Sequence, residues 1–93
     1  MLHYLKILPQ HFNDILQGYK KFEVRYKDRD YKADDTLILQ EYWNGKYTGK
    51  VLSVRVPYIL DDEMYCKENF IIMSVENVIL LSSEKKFLKN KGA

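Results

Sequence analysis

The stretch Gly18-Tyr19-Lys20-Lys21-Phe22-Glu23-Val24-Arg25-Tyr26 decides how the chain folds, because a glycine here separates a helical pattern from a strand pattern. Before it, Phe12, Ile15 and Leu16 recur at the i, i+3, i+4 spacing of one helix face, and Pro9 suits the first helical turn. Gly18 favours the end of that helix, since glycine adopts the left-handed backbone without strain. The pattern predicts a short helix that ends at about Gln17.

After the glycine, side chains alternate with a period of two over residues 21–26, which is typical of a strand. Phe22, Val24 and Tyr26 point one way, and Lys21, Glu23 and Arg25 point the other. Further downstream, Asn44-Gly45 between two β-rich runs predicts a hairpin.

The remaining pattern predicts a mainly β fold of the α+β class. Short connections favour antiparallel neighbours, and five or six short strands in one small domain favour a closed or nearly closed barrel. The predicted strands are 2–8, 21–26, 36–42, 47–59 and 70–81, the last with a break near Glu76-Asn77.

Length and charge limit the possible functions. The 93 residues allow one domain, predicted at 1–81, followed by a basic tail at 82–93. The tail carries a net charge of +3 and the rest of the chain −1, so the broad basic face typical of duplex-binding proteins is not expected. Eight tyrosines suit a surface on which a base stacks.

Several classes of site are not expected. The single cysteine, Cys66, excludes an internal disulfide, and His3 and His11 lack ligand partners at metal-binding spacing. The four scattered glycines form no phosphate-binding loop, so we expect neither a metal nor a cofactor. No apolar stretch is long enough to span a bilayer, so we expect a cytoplasmic protein without a membrane partner.

The charged residues in and just before the predicted strand at 21–26 form the first candidate ligand site. If Lys20, Lys21, Glu23 and Arg25 face solvent, they form an ordinary surface charge pattern. If they line a concavity, arginine supplies a fork of donors, glutamate accepts from an exocyclic amine, and lysine supplies a point charge. The sequence leaves both readings open.

Three further candidates have equally plain structural readings. Arg29 either ties the loop at 27–35 to the body by an ion pair or reaches a phosphate, and the structural reading is favoured. Tyr47 and Lys50 belong either to a strand start with a bulge at Gly49 or to a stacking platform with a phosphate contact.

The pattern Gly18-x-Lys20-x-x-Glu23-x-Arg25 resembles the GxKxxExR motif of the ASCH domain, a branch of the PUA-like barrels. The resemblance extends over roughly residues 3–76 and is closest to a small uncharacterised bacterial and phage ASCH-related family. Its further anchors are His3-x-Leu5-Lys6-Ile7, Phe22-Glu23-Val24-Arg25, Asp28-Arg29-Asp30-Tyr31, Tyr47-Thr48-Gly49-Lys50, Tyr58-Ile59 and Ile71-Ile72-Met73-Ser74.

This resemblance implies a PUA-like β-barrel with a helix beside a cleft that binds RNA or a nucleotide-like ligand, with Lys20, Glu23 and Arg25 lining the cleft. Some ASCH proteins are small amidohydrolases that remove the acetyl group from acetylated cytidine. They carry threonine, their proposed nucleophile, where this chain has Glu23. As an enzyme, this chain would use Glu23 as a general base on water and Lys20 as its electrophilic partner.

Three functions therefore stand as expectations. The first is an RNA- or nucleotide-binding module, and the second is an amidohydrolase acting on acylated nucleosides. The third is a phage or host regulatory domain that contacts another protein, for which an apolar patch over Leu80, Leu81, Phe87 and Leu88 is expected. The oligomeric state is left open.

Overall fold

Seven strands and one helix make up the part of the chain described by the computed structural model, residues 1–83. The mainly β prediction with one short helix is confirmed. The elements are β1 (Leu2–Ile7), α1 (Pro9–Leu16), β2 (Phe22–Tyr26), β3 (Thr36–Trp43), β4 (Lys46–Arg55), β5 (Ile59–Leu60), β6 (Phe70–Ser74) and β7 (Glu76–Ser82). Of the predicted tail at 82–93, residues 84–93 lie outside the described part.

The strands form two sheets, one of four strands in the order β1-β3-β4-β7 and one of three in the order β2-β6-β5. The neighbours are antiparallel as predicted, except that β1 and β3 run parallel, with His3 beside Leu37. A parallel pair needs a long crossover connection, and here it contains α1 and β2. The helix and the charged strand are thereby carried out of the larger sheet.

The chain changes sheets at two points, one inside the strand predicted at 47–59 and one near the break predicted in the strand at 70–81. The run predicted at 47–59 ends at Arg55 and resumes in the smaller sheet at Ile59, with Pro57 between. Proline fixes its φ and has no N–H for a ladder, which explains the break. The run predicted at 70–81 breaks at Val75, whose amide donates to the Lys21 carbonyl at 3.0 Å.

A closed barrel is not confirmed. Within residues 1–83, β1 lies at the edge of the larger sheet and β2 at the edge of the smaller one, with no ladder between them. In place of a ladder, the Arg25 guanidinium Nη2 donates to the Lys6 carbonyl at 2.7 Å. A cleft opens along this gap, and it contains the candidate site.

The hydrophobic core lies between the sheets and is completed by α1. Phe12 and Ile15 on the helix are fully buried, while His11 and Asp14 on its other side face the gap. The helix is therefore fixed by its core face and presents polar side chains to the cleft. The other buried apolar residues are Leu5, Ile7, Leu37, Leu39, Leu52, Val54, Val56, Ile71, Met73 and Val75.

Gly18 ends the helix as predicted and directs the next residues to the cleft. Its φ is +84°, and its amide donates to the Ile15 carbonyl at 3.1 Å. The amides of Tyr19 and Lys20 both donate to the Asp14 carbonyl, at 2.9 and 3.0 Å. This Schellman-type ending folds the chain back over the last helical turn and brings Lys20 beside the helix.

The predicted hairpin is also confirmed. Asn44 and Gly45 connect β3 to β4 with φ values of +55° and +81°, the signs that a type I′ turn requires. Beyond the turn, the register between the two strands shifts between Gln40 and Tyr42, as expected of a bulge near Gly49.

Candidate functional site

Strand β2 has the reverse of the usual burial pattern. Glu23 is only 3% exposed and the Arg25 side chain 21%, whereas Phe22, Val24 and Tyr26 are 46%, 46% and 52% exposed. The two charged residues do share a face, as the alternation predicts, and that face is turned inwards. A strand that only built core would turn its apolar residues inwards instead.

The buried carboxylate of Glu23 lies between two cations. Its Oε1 accepts from the Lys20 ammonium at 3.2 Å, and its Oε2 accepts from the Arg25 Nε at 2.9 Å. Charge-assisted bonds of this kind compensate for the loss of hydration on burial. Both oxygens of the carboxylate are therefore engaged.

The same cluster extends to α1 and β1. The Lys20 ammonium lies 3.0 Å from Nδ1 of His11. Because an ammonium only donates, this nitrogen accepts, and the proton of the neutral imidazole is on Nε2. With the bond from Arg25 to the Lys6 carbonyl, the cluster holds three elements in a fixed arrangement.

The main cleft has a volume of about 720 Å³ and follows the edge of β2. All five residues from Phe22 to Tyr26 line the cleft. Because consecutive side chains of a strand point to opposite faces, the cleft must run along the edge of the strand and not over one face. Its volume lies within the range of about 300–1,000 Å³ typical of small-molecule sites. The remaining lining residues are 6–8, His11, Asp14, Tyr19 and Lys20.

The lining combines positive charge with exposed rings. Lys6, Lys20 and Arg25 face two carboxylates, Asp14 and Glu23, which leaves an excess of one positive charge. Tyr19 is 81% exposed and, like Phe22 and Tyr26, belongs to the same wall. Such a surface can attract an anionic group and provide a flat face for a ring.

A second, smaller cleft of about 310 Å³ contains two of the other predicted site residues, Arg29 and Tyr47. The Arg29 Nε lies 3.5 Å from the Asp28 carboxylate, and its guanidinium lies 5.9 Å from the centre of the Tyr31 ring. This ion pair joins two neighbours within the loop and does not tie the loop to the body, and the Arg29 side chain is 39% exposed at the cleft.

Lys50 lies in a third cleft of about 230 Å³, beside a second buried glutamate. Glu41 is 5% exposed and accepts from the Thr48 hydroxyl at 2.8 Å, while the Lys50 ammonium lies 3.5 Å away. Lys21, the remaining candidate, is exposed and lines none of these three clefts.

Sequence reasoning missed several lining residues. His11 drew attention only as a failed metal ligand, and Lys6 lies in a strand with no distinguishing pattern. Tyr19 and Phe22 lie inside the quoted motif, but alternation alone gave no sign that the apolar side of the strand is exposed. The available signal for this site was the pair of charged residues Glu23 and Arg25, two positions apart, directly after a helix that ends at a glycine.

A separate buried cluster surrounds Asp35. Its carboxylate, 5% exposed, contacts His3 Nε2 at 2.7 Å and accepts from the Lys32 amide at 2.9 Å. Burial disfavours the charge, but the hydrogen bonds from His3 and Lys32 outweigh burial and lower the pKa of Asp35 to about 2. Burial raises the pKa of Tyr31, whose ring centre lies 4.7 Å from that of His3.

Two absences concern residues 1–83. No group of three or more His, Cys, Asp or Glu side chains in this part is arranged to hold a metal ion. No helix in it combines the length and apolar character that crossing a membrane requires. On β7, Leu80 and Leu81 are 42% and 54% exposed, while Phe87 and Leu88 of the expected apolar patch lie outside the described residues.

Comparison with known proteins places these features in a family. Residues 2–75 match the family described as "Domain of unknown function (DUF3850)", a range that contains α1, the three clefts and every strand except β7. Over 60 residues the chain is 38% identical to the "Uncharacterized 12.9 kDa protein in GpA 3'region" of Escherichia phage P2. The matched region is 64% of this chain and 55% of that relative, so it spans about half of the relative's length.

Proposed function

This chain belongs to the family described as Domain of unknown function (DUF3850), and we propose that it binds RNA or a nucleotide-like ligand in the cleft between β1 and β2. The observation that carries the proposal is the inverted burial of β2. The strand encloses Glu23 and Arg25 and leaves Phe22, Val24 and Tyr26 at the cleft. Exposed aromatic groups beside fixed cations are what a nucleotide requires of its site.

In this proposal, each side chain that lines the cleft has a role. Arg25 uses Nε on Glu23 and Nη2 on the Lys6 carbonyl, and the guanidinium has further N–H donors to offer a phosphate. Lys20 and Lys6 also line the cleft and add positive charge. The ring of Phe22 lies 5.3 Å from the Lys20 ammonium, so a base stacked on it would lie next to an anion-attracting group.

Glu23 acts as a positioning residue in this proposal. Its two oxygens hold Lys20 and Arg25 in place. These long side chains therefore lose less conformational entropy when a ligand binds. The ligand then meets a site that is already arranged.

We further propose that the chain has an ASCH-like, PUA-like architecture, with the helix beside the cleft. The motif residues Lys20, Glu23 and Arg25 meet in one cluster, and two strand runs change sheets as corners of a barrel do. These features support the assignment. In it, the cleft occupies the gap between β1 and β2, where the barrel would otherwise close.

A chemical-shift titration of the ¹⁵N-labelled chain with AMP and with CMP tests the binding proposal. We expect shifts at the amides of residues 6–8 and 19–26. Phe22→Ala should weaken binding about five- to hundredfold, in line with the contribution of one base stack. Tyr58→Ala is the matched control, because Tyr58 is 64% exposed and lies outside the three clefts.

Arg25→Gln tests the anion contact in the same titration, with Arg55→Gln as its control, since Arg55 pairs with Asp34 and Glu76 away from the clefts. Arg25→Gln should weaken the binding of AMP more than that of adenosine. Absence of shifts with either nucleotide, or equal affinity in Phe22→Ala and wild type, would refute the proposal.

Hydrolysis of acylated nucleosides is the weaker proposal for the same cleft. A general base must accept a proton from water, and both oxygens of Glu23 already accept from cations. Incubation with acetylcytidine, followed by chromatography for cytidine, tests it. Turnover by the wild type that disappears in Glu23→Gln would favour the enzyme, and equal background in both proteins would exclude this route.

A further inference from the structure

The main cleft and the second cleft adjoin each other. The cleft of about 720 Å³ and the cleft of about 310 Å³ share three lining residues, Lys6, Arg25 and Tyr26. A ligand larger than one nucleotide could therefore contact both clefts.

Two of the three residues that the clefts share, Lys6 and Arg25, are positively charged. The Lys6 ammonium lies 4.3 Å from the centre of the Tyr42 ring and 5.9 Å from that of Tyr47. Arg25 is held by Glu23 and by the Lys6 carbonyl. Both cations line both clefts, which suits a single anion that contacts the two of them.

In the second cleft, exposed rings occur again. Tyr4 and Tyr47 line the second cleft and are 60% and 52% exposed, and Arg29 adds a third cation there. The second cleft therefore repeats the combination found in the main cleft, exposed rings together with positive charge.

We propose that the ligand is a single-stranded nucleic acid that occupies both clefts, with a phosphodiester at Lys6 and Arg25 and one base on either side. This inference rests on the proposed function and specifies its ligand class. One base stacks in the main cleft against Phe22, and the next lies against Tyr4 in the second cleft. A duplex does not fit this arrangement, because its base faces are already stacked on each other.

Calorimetric titration with AMP and with the dinucleoside monophosphate ApA tests the proposal at one fixed salt concentration. ApA has a single phosphodiester and carries no more negative charge than AMP, so any gain in affinity comes from the second nucleoside. We expect ApA to bind about five- to hundredfold more tightly than AMP. Its deoxy counterpart, titrated in parallel, distinguishes RNA from DNA.

Tyr4→Ala tests whether the higher affinity for ApA comes from the second cleft, and Tyr58→Ala is the matched control. Tyr4 lines the second cleft and not the main one, so its removal should weaken ApA binding and leave the Kd for AMP within about twofold of wild type. Arg29→Gln, on the loop of the second cleft, should act in the same direction.

The outcomes separate this inference from the proposed function. If AMP binds and ApA binds no more tightly, or if Tyr4→Ala leaves ApA binding unchanged, the two-cleft proposal is overturned while nucleotide binding stands. If neither compound binds, both proposals fail.

Discussion

Replacing Glu23 by glutamine preserves the size of the side chain and removes its negative charge. In the folded chain this carboxylate is 3% exposed and accepts from Lys20 at 3.2 Å and from Arg25 at 2.9 Å. Glutamine has one carbonyl oxygen that accepts from one of these cations. Its amide group then faces the other cation, which is left without a partner.

The size of the effect follows from these contacts. A hydrogen bond to a charged group contributes about 1.5–3 kcal/mol, and one of the two is lost outright while the other is weakened. The side chains of Lys20 and Arg25 are 14% and 21% exposed, so water partly restores their hydration. We expect the free energy of unfolding to fall by about 2 kcal/mol, which lowers the Tm by roughly 8–16 °C in a domain of this size.

Glu41→Gln is the matched control. Glu41 is 5% exposed, but its contacts are a threonine hydroxyl at 2.8 Å and a lysine at 3.5 Å. The Thr48 hydroxyl still donates to the glutamine carbonyl, so only the longer ion pair with Lys50 is lost, at less than about 1 kcal/mol. Urea unfolding of the three proteins at pH 7, followed by circular dichroism, gives the two differences.

The reasoning is refuted if Glu23→Gln costs no more than Glu41→Gln. That result would mean that the two cations of the cleft are not held by the Glu23 carboxylate, and the positioning role assigned to Glu23 would be lost with it.

Three further predictions concern the framework of the site. Gly18→Ala should lower the free energy of unfolding in urea by about 1–2 kcal/mol, because φ is +84°, while nothing lies within 4 Å of an added Cβ. The substitution should also raise the Kd for AMP by displacing Lys20. Unchanged stability would contradict the assigned helix ending. Phe12 is fully buried, so Phe12→Ala should lower the free energy of unfolding by about 3–5 kcal/mol. Phe22 is 46% exposed, so Phe22→Ala should lower it by less than about 0.5 kcal/mol. Equal losses would contradict the inverted burial of β2. The pKa of Asp35 is about 2 in the folded chain against an ordinary value of 3.8, so the unfolded chain binds the proton first. The stabilisation by Asp35 is then present above about pH 4 and is lost as the pH falls towards 2; acid unfolding of Asp35→Asn should lack this component, and a profile parallel to that of the wild type would count against it.

Local signals in the sequence were sufficient for the helix and the hairpin. Gly18 and the pair Asn44-Gly45 act through backbone conformation, which depends on one or two residues, and the structure has the predicted positive φ at each of them. The shared face of Glu23 and Arg25 follows from strand geometry and needs no knowledge of the rest of the chain.

The direction of that face could not be predicted in the same way. Alternation shows which side chains lie together, but burial depends on what the strand packs against, and β2 pairs with β6 from the other end of the chain. Burial of Glu23 is stabilised by Lys20 and by Arg25, and the Arg25 guanidinium is itself fixed by the Lys6 carbonyl, 19 residues away in sequence. Contacts of this range leave no periodic trace in the sequence.

The two changes of sheet were missed for a related reason. Pro57 disfavours a continuous ladder, and a break near Glu76-Asn77 was expected, but neither signal tells which sheet the next residues join. That choice depends on the packing of both sheets around Phe12 and Ile15, and it leaves the gap between β1 and β2 where the cleft lies.

A crystal structure of the chain grown with ApA tests the central claim most directly. The account predicts the phosphodiester beside Arg25 and Lys6, with one base near Phe22 and the other near Tyr4. A dinucleotide bound anywhere else on the chain, with the cleft along β2 left unoccupied at a saturating concentration, would contradict it.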